Sequence, residues 1–269
     1  MLSYYVVRSI SQFHILKESA MNIGIISQDK RFTFVRDMLL SSGHKCEIYD
    51  IDTYCYCDAL ILSPRMELDC EKLRKLFLKV EGKTIVISGK KDIISKYFDG
   101  VIYDYADNEA FLLRNAYITA QCALKLTLEN IDTLVYGKRT LIVGYGRIGK
   151  YLALMLKALG AVIFVYARRE ESRLDAMLNG CTPVSLEDIS ELNLDLVYNT
   201  VPDLIIEKHH TELIPHKSLI MELASSPGGF IDKSRVLNAQ GLPGKMMVKS
   251  AAKAIYSFID LILQGKDTL

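Results

Sequence analysis

A short stretch past the middle of the chain constrains the fold more than any other. The apolar run Thr140–Val143 ends in the pattern Gly-x-Gly-x-x-Gly at Gly144, Gly146 and Gly149, and an amphipathic segment from Lys150 to Leu159 comes directly after it. An apolar strand, a glycine turn and a helix in this order are typical of a dinucleotide-binding α/β unit. The first glycine permits the turn, the second lets the backbone approach a pyrophosphate, and the third lets the helix pack closely on the strand.

The start of that helix is the second part of the predicted phosphate site. Unpaired N–H groups and the helix dipole favour an anion at a helix N-terminus, and Arg147 and Ile148 lie in this turn. We therefore predict a Rossmann-type domain in which the glycines, Arg147 and Ile148 contact a dinucleotide cofactor.

The segment after this helix indicates which dinucleotide binds. Gly160–Tyr166 predicts a second buried strand. An NAD-specific site places Asp or Glu at its end, roughly 20 residues beyond the glycines, but this chain has Ala167, Arg168 and Arg169 there. Arginine pairs with a 2′-phosphate that a carboxylate would repel, so these residues favour NADP(H) over NAD(H). One alternative stays open, in which both arginines are solvated and Glu170 takes the acidic role.

Composition limits the classes of protein that need to be considered. The chain has 269 residues, is 50% hydrophobic and carries a formal net charge of +1, which suits one or two packed domains and gives no basic excess for nucleic-acid binding. No apolar run approaches the ~20 residues of a membrane span. The cysteine spacing shows neither a disulfide framework nor a zinc pattern, so we expect reduced thiols in a cytoplasmic protein without a metal. The cysteines are Cys46, Cys55, Cys57, Cys70, Cys122 and Cys181.

The first half of the chain predicts an α/β domain of its own. Residues 1–20 differ from the rest of the chain, and we expect an N-terminal extension with little role in the fold. Between residues 21 and 106 strands alternate with helices, which predicts a flavodoxin-like domain with a parallel sheet. The predicted strands are Ile23–Ser27, Cys46–Tyr49, Ala59–Leu62 and Thr84–Ser88, and the predicted helices are Arg31–Ser42 and Cys70–Val80.

A long helix is expected to join this domain to the next. The segment Asn108–Glu129 is periodic over its whole length and predicts a bridging helix within residues 107–131. The Rossmann domain then covers residues 132–248, with further strands at Asp195–Thr200 and Ser218–Leu223.

A last helix within residues 249–269 is expected to return to the first domain. The predicted fold class is therefore α/β, with two Rossmann-like domains of parallel strands joined by the long helix. Ligands of such folds bind outside the carboxyl ends of the strands, and we expect the site in a cleft between the domains.

Three further stretches lie after predicted strands or before the last helix. Asn199-Thr200-Val201-Pro202 comes after a strand, where the nicotinamide side of a cofactor is usually contacted, and all four residues are predicted to bind the cofactor. Glu222–Gly229 comes after the next strand, and Gly241–Lys245 precedes the last helix.

Together with the glycine turn and Ala167-Arg168-Arg169, these stretches resemble the dipicolinate synthase A-subunit family of spore-forming bacteria. The segment Asn115–Ala120 is similar to that family's Asn-Ala-x-x-Thr-Ala motif, and the combination of Ala-Ser-x-Pro-Gly-Gly with Gly-Leu-Pro-Gly-Lys is specific. The resemblance covers residues 103–258.

The resemblance implies an NADP-dependent oxidoreductase. Dihydrodipicolinate, or its hydrated precursor, would lose hydrogen and become the pyridine dicarboxylate that spores accumulate as a calcium chelate. The resemblance also implies the flavoprotein-like B subunit of dipicolinate synthase as partner and a location in the cytoplasm of the mother cell; a homo-oligomer is possible.

The same resemblance implies which residues would act on such a dicarboxylate. Lys245 and Ser225 are the candidate catalytic residues and are expected to bind a carboxylate of the substrate, with Lys245 or a water as the proton acceptor. The candidate substrate-binding residues are Asn115, Thr119, Ser226 and Gly228.

Two other functions stay open. Gln121 and Cys122 stand where the family has Glu and Gly, which removes a carboxylate and favours a non-catalytic nucleotide-binding subunit, although the cofactor glycines and Lys245 are retained. A D-2-hydroxyacid dehydrogenase-like oxidoreductase would share the two-domain plan but needs a late catalytic His, and the last His is His216. His209 and His210 are predicted to be a solvated loop pair.

Overall fold

The computed structural model describes residues 20–54, 56–63 and 69–265. The predicted N-terminal extension lies outside these residues except for Ala20, and so does Cys55. The chain forms two compact units. The first runs up to Arg114 and includes the residues from Val248 onward, and the second is Asn115–Met247.

The first unit is built on a five-stranded sheet in which every pairing is parallel. Its strands are β1 (Asn22–Ile26), β2 (Lys45–Tyr49), β3 (Ala59–Leu62), β4 (Ile85–Ser88) and β5 (Ile102–Asp104). Its helices are α1 (Arg31–Ser41), α2 (Cys70–Phe77), α3 (Lys91–Ile94) and the first turns of α4 (Glu109–Asn130). The strands of its sheet lie in the order β2-β1-β3-β4-β5, which is that of flavodoxin-like sheets.

Apolar sequence explains why these strands lie at the centre of the unit. All residues of β3 and β4 are buried, as expected for parallel strands covered on both faces.

The last helix of the chain, α9 (Val248–Leu263), belongs to this unit and packs on α1. Its Phe258 ring lies 5.1 Å from the Tyr105 ring, between centroids. The predicted return of the C-terminal helix to the first domain is confirmed.

The second unit contains six parallel strands and most of α4. The strands are β6 (Arg139–Val143), β7 (Val162–Tyr166), β8 (Thr182–Pro183), β9 (Leu196–Asn199), β10 (Leu219–Glu222) and β11 (Val236–Asn238). The helices are α5 (Arg147–Ala158), α6 (Glu170–Leu178), α7 (Lys208–Leu213) and α8 (Leu242–Met246). The order β11-β10-β9-β6-β7-β8 is the Rossmann order, which confirms the predicted fold class.

The helix α4 covers all but the first residue of the periodic segment that is predicted to bridge the units, and its 22 residues begin in one unit and end in the other. The Thr127 hydroxyl contacts the Tyr198 hydroxyl of β9 at 2.7 Å, which anchors the C-terminal half of the helix to the second sheet. Burial raises the pKa of Tyr198. The Thr127 hydroxyl also donates to the Ala123 carbonyl at 2.8 Å, so both buried hydroxyls have hydrogen-bond partners within the protein.

The cysteines within the described residues are free thiols, and three of the four buried ones lie in a strand, in a helix or directly before a strand. Burial raises the pKa of Cys46 to about 12 and the pKa of Cys122 to about 11. Because the thiolate is the reactive form, these thiols are inert at neutral pH. No three His, Cys, Asp or Glu side chains come together as a metal site would require in the part of the chain that the structure describes.

Candidate dinucleotide-binding site

The predicted cofactor turn lies where the strand order of the second sheet reverses. From the neighbouring strands β6 and β9 the chain continues outward in opposite directions, and ligands of open α/β sheets bind outside the carboxyl ends of such strands. The loops after these strands are joined to each other. Thr200 donates its backbone N–H to the Val143 carbonyl at 2.8 Å, and its hydroxyl donates to the Gly144 carbonyl at 3.2 Å.

Two of the three motif glycines are required by contacts within the protein. Gly144 has a φ of +95°, and a Cβ there would lie 2.5 Å from Thr200 Oγ1. A Cβ on Gly149 would overlap the Gly144 carbonyl oxygen, because the first turn of α5 packs directly on the end of β6. These two glycines thus permit the turn and the close packing of helix on strand.

Gly146 is different, because the protein itself does not require a glycine there. Its φ is −84°, which any residue adopts, and a Cβ would meet no heavy atom within 4 Å. The space that its missing side chain leaves is therefore open. A glycine that packing does not explain, directly before the first turn of a phosphate-binding helix, fits a pyrophosphate that must approach the backbone closely.

The N-terminus of α5 also fits an anion. Gly146 is the N-cap of this 12-residue helix, and no side chain caps it among the described residues. The N–H groups of the first turn and the helix dipole are the groups that bind phosphate in Rossmann folds. The residues predicted at this turn, including Arg147 and Ile148, therefore stand around a site with the geometry of a phosphate cradle.

The arginines predicted to select NADP come after β7 at the same edge of the sheet. Arg168 Nη2 lies 2.6 Å from Asp203 Oδ2, and both side chains are more than half exposed. The Arg168 carbonyl in turn accepts from Arg173 Nη1 at 2.6 Å. Arg169 is the exposed N-cap of α6, and Glu170 is the exposed first residue of that helix. Asp203 was not predicted; it belongs to the loop after β9 and pairs with Arg168 at the surface.

Asn199, predicted to bind the cofactor, lies at the end of β9 and is fully buried. Its Nδ2 donates to the Val201 carbonyl at 2.8 Å and to Glu222 Oε1 at 2.7 Å, and its Oδ1 accepts from the Val201 N–H. The side chain is thus occupied by protein contacts. Asn199 shapes the loop that contains Thr200, Val201 and Pro202 rather than facing a ligand.

The role of Glu222 was not apparent from the sequence. This last residue of β10 is 3% exposed, and its carboxylate accepts from the Ala224 and Gly229 N–H groups at 2.9 and 2.7 Å as well as from Asn199. The sequence did contain a signal for this role. It has an acidic residue at the end of an apolar strand, with small residues and paired glycines after it.

The predicted catalytic and substrate-binding residues lie at the same end of the second sheet. Ser225 and Ser226 are exposed in the turn after β10, whereas Gly228 is buried, with a φ of +82°. Lys245 is exposed on α8, which comes after β11.

The remaining two predicted substrate residues lie in the second unit's part of α4. Asn115 is half-buried, and Thr119 is buried and donates its hydroxyl to the Asn115 carbonyl at 2.7 Å. The hydroxyl therefore has an acceptor within its own helix, and only its lone pairs remain for another group.

The prediction of a solvated histidine pair is wrong for His210. This residue lies in α7, is 6% exposed, and its Nδ1 accepts from the Glu207 N–H at 3.1 Å. Burial, and then the neighbouring His209, lower the pKa of His210. Because Nδ1 is an acceptor, the imidazole is neutral and caps the helix. The two residues were assigned to a loop because a short polar segment shows no helical periodicity.

Comparison with known proteins identifies the second unit. Residues 115–249 match the family model described as the S-adenosyl-L-homocysteine hydrolase, NAD binding domain. The chain belongs to this family. The family confirms the coarser part of the cofactor prediction, a nicotinamide dinucleotide bound by a Rossmann domain.

The chain is also similar to the A subunit of dipicolinate synthase, as the motifs indicated. It is 27% identical over 165 residues to the protein from Bacillus subtilis strain 168, an alignment that covers 58% of this chain and 56% of that protein. The chain thus spans little more than half the length of this curated relative.

Two solved structures support the fold over most of the chain. The dipicolinate synthase A chain of Bacillus subtilis superposes with a TM-score of 0.78 at 19% identity, over 94% of this chain and 99% of that one. The corresponding protein from Bacillus halodurans gives 0.76 at 20% identity, over 90% and 97%. No helix among the described residues has the length and apolar character needed to cross a membrane.

Proposed function

We propose that this chain is the A subunit of a dipicolinate synthase, an oxidoreductase that uses NADP. Dihydrodipicolinate would lose a hydride from a ring carbon and a proton, a net loss of two electrons and two protons that would make the ring aromatic, and a bound nicotinamide would supply the hydride acceptor. The products are dipicolinate, NADPH and H⁺. The observation that carries the proposal is the similarity to the A subunit of dipicolinate synthase. The glycine turn supports it, because Gly146 is the one motif glycine that contacts within the protein do not require, and its open space suits a cofactor.

The cofactor half of the site rests on geometry within one unit. The α5 N-terminus and Gly146 would hold the pyrophosphate, and Arg168 and Arg169 would hold the 2′-phosphate through charge-assisted hydrogen bonds. The nicotinamide, when bound, supplies the electron acceptor. The loop Thr200–Pro202, shaped by Asn199, would contact that end of the cofactor.

The substrate half is proposed from the predicted residues. A dicarboxylate calls for cations and N–H or O–H donors, and the exposed side chains of Ser225, Ser226 and Lys245 offer these. Gly228 would contact the ligand through the backbone of the same turn, with Asn115 and Thr119 contacting it from α4. Because aromatisation favours the product, the protein chiefly has to orient the ring and accept a proton at Lys245 or a water.

Under this proposal the partner is the flavoprotein-like B subunit, and the chain works in the cytoplasm of the mother cell of a sporulating bacterium. The direct test mixes the purified chain, alone and with its candidate B subunit, with dihydrodipicolinate and NADP, and monitors the absorbance of the pyridine product. We expect product in at least one of the two mixtures. Absence of product in both, with NADPH binding intact, would contradict the enzyme assignment.

The choice of NADP has its own test. Replacing Arg168 and Arg169 by Ala should weaken NADPH binding about tenfold or more, because charge-assisted hydrogen bonds are lost, and leave NADH binding unchanged. The matched control is Arg36→Ala, which removes a half-buried arginine that is also paired with an aspartate, at 2.7 Å, on α1. Equal losses for both cofactors, measured by calorimetric titration, would refute the 2′-phosphate assignment.

A further inference from the structure

The buried carboxylate of Glu222 is a polar group in the second unit that the proposed reaction leaves without a role. It is 3% exposed and accepts hydrogen bonds from three N–H donors, two on its own loop and one on Asn199. Because the carboxylate is buried and held by these three donors, it does not reach a ligand. Any effect it has on the reaction must pass through the residues that it holds.

The loop around Glu222 is tightly packed against the Glu222 and Asn199 side chains. A Cβ on Gly228 would lie 2.6 Å from Glu222 Oε2, and a Cβ on Gly229 would lie 2.5 Å from Asn199 Nδ2. Both glycines are therefore required by the buried pair that the Asn199 and Glu222 side chains form. From the other side, Gln240 Nε2 donates to the Ala224 carbonyl at 2.7 Å.

Some backbone N–H groups of the turn already have acceptors within the protein, and others do not. The Ala224 and Gly229 N–H groups donate to Glu222, and the Gly228 N–H donates to the Ser225 carbonyl at 2.8 Å. Within the described residues, no acceptor is bound to the N–H groups of Ser225 and Ser226, whose side chains are exposed. The turn thus presents two adjacent residues that each carry an N–H and an O–H donor.

We infer that Glu222 is a positioning residue: with Asn199 it fixes the turn of residues 224–229 so that the donors of Ser225 and Ser226 form a binding site for a carboxylate of the substrate. This inference rests on the proposed function for the identity of the ligand, but the arrangement of donors does not depend on it. The same Asn199 side chain orders the loop of Thr200, so the buried pair links the substrate turn to the cofactor loop.

The test substitutes Glu222→Gln, which keeps the size of the side chain but turns an NH₂ group toward an N–H donor. The probe is dipicolinate itself, titrated against the full chain by calorimetry, with NADPH titrated separately. We expect the Kd for dipicolinate to rise about tenfold and the Kd for NADPH to change less than about threefold. The matched control is Glu191→Gln, an exposed glutamate of the same unit, which should change neither value.

Hydrogen exchange adds a measurement that needs no ligand. In Glu222→Gln the amides of Ala224 and Gly229 should exchange at least about tenfold faster, while those of β6 and β7 should not change. If dipicolinate binds the unchanged chain and the variant equally well, the positioning role is wrong. If the unchanged chain binds NADPH but no dipicolinate, the proposed substrate is wrong, and the exchange result alone decides whether Glu222 orders the turn.

A milder variant covers the case in which Glu222→Gln does not fold. Gln240→Ala removes the second tie of the same turn and leaves the buried carboxylate in place. It should raise the Kd for dipicolinate by about threefold to tenfold with unchanged NADPH binding. No change in dipicolinate affinity would overturn the inference.

Discussion

The two sheets of this protein begin with the same local plan, and the turns after their first strands differ in one respect. After β1 the turn is filled by a side chain: Asp29 accepts from the Arg31 N–H at 2.9 Å and from Arg31 Nε at 3.0 Å, at the start of α1. After β6 the turn is left open at Gly146, where a Cβ would meet nothing. One helix N-terminus has an internal anion, whereas the other has room for an external one.

The surroundings of the two turns reinforce the contrast. A cavity of about 610 Å³ lies at the carboxyl ends of β1, β2 and β3, and its lining has more acidic residues than basic ones: Asp29, Asp50, Asp52 and Asp69 against Lys72. Carboxylates repel phosphates, so this crevice does not suit a dinucleotide. The edge of the second sheet offers Arg168 and Arg169 instead. A shared topology therefore does not determine which sheet binds the cofactor; the residues of the turn do.

The largest expected effect comes from removing the Asp29 carboxylate that fills the turn after β1. Asp29→Ala would leave the Arg31 guanidinium, whose side chain is 6% exposed, without its carboxylate. Removing one partner of a buried pair costs about 4 kcal/mol of unfolding free energy. Hydrogen exchange of β1–β5 would show the loss, with β6–β11 unaffected. The control Asp37→Ala breaks an exposed pair and should cost less than about 1 kcal/mol. Equal effects of the two variants would contradict the structural role of Asp29.

A smaller effect is expected where the second turn packs on itself. Gly149→Ala places a methyl group against the Gly144 carbonyl, and overpacking of this kind costs about 2 kcal/mol. The loss should appear in the exchange of β6 and β7. Gly82→Ala serves as control because a Cβ there meets nothing within 4 Å. If Gly149→Ala exchanged like the control, the helix would not be packed on the strand as described.

The smallest effect on stability, and the sharpest on binding, is expected at the open position. Gly146→Ala should change the unfolding free energy by less than about 0.5 kcal/mol, since its Cβ meets no protein atom. It should nevertheless weaken NADPH binding about tenfold, because a methyl group would occupy the space next to the pyrophosphate. Calorimetric titration and urea unfolding measure the two quantities. Unchanged affinity would place the pyrophosphate elsewhere and remove the basis of the comparison.

Much of the fold could be predicted because its main elements carry strong local patterns. The predicted strand Ala59–Leu62 coincides with β3, and the predicted helix Asn108–Glu129 is shifted by one residue from α4. The helix after the glycine turn was predicted from Lys150 but begins at Arg147, because glycine at the start hides the periodicity. The short strands β5, β8 and β11 were not predicted, since too few residues carry a pattern and pairing with a neighbouring strand decides them. The helices α3, α6, α7 and α8 were not predicted either, because such short segments show too little periodicity.

The site was predictable only where local sequence determines geometry. The glycine turn and the arginines after β7 can be placed from spacing along one β-α-β unit, and their positions agree with the prediction of a shared edge. The contacts of Asn199 with Glu222 and of Arg168 with Asp203 join residues 23 and 35 positions apart. No spacing rule reports such pairs, because they depend on which strands become neighbours in the sheet.

The amino-acid sequence by itself determined that a strand, a glycine turn and a helix would form a dinucleotide site, since glycine, apolar runs and helix periodicity act over a few residues. Only the tertiary structure decided that Gly146 is the glycine without a packing reason, that Asn199 is occupied inside the protein, and that Glu222 orders the turn of Ser225. The reason is physical. Burial and hydrogen bonding are properties of neighbours in space, and the order of strands in the sheet sets those neighbours.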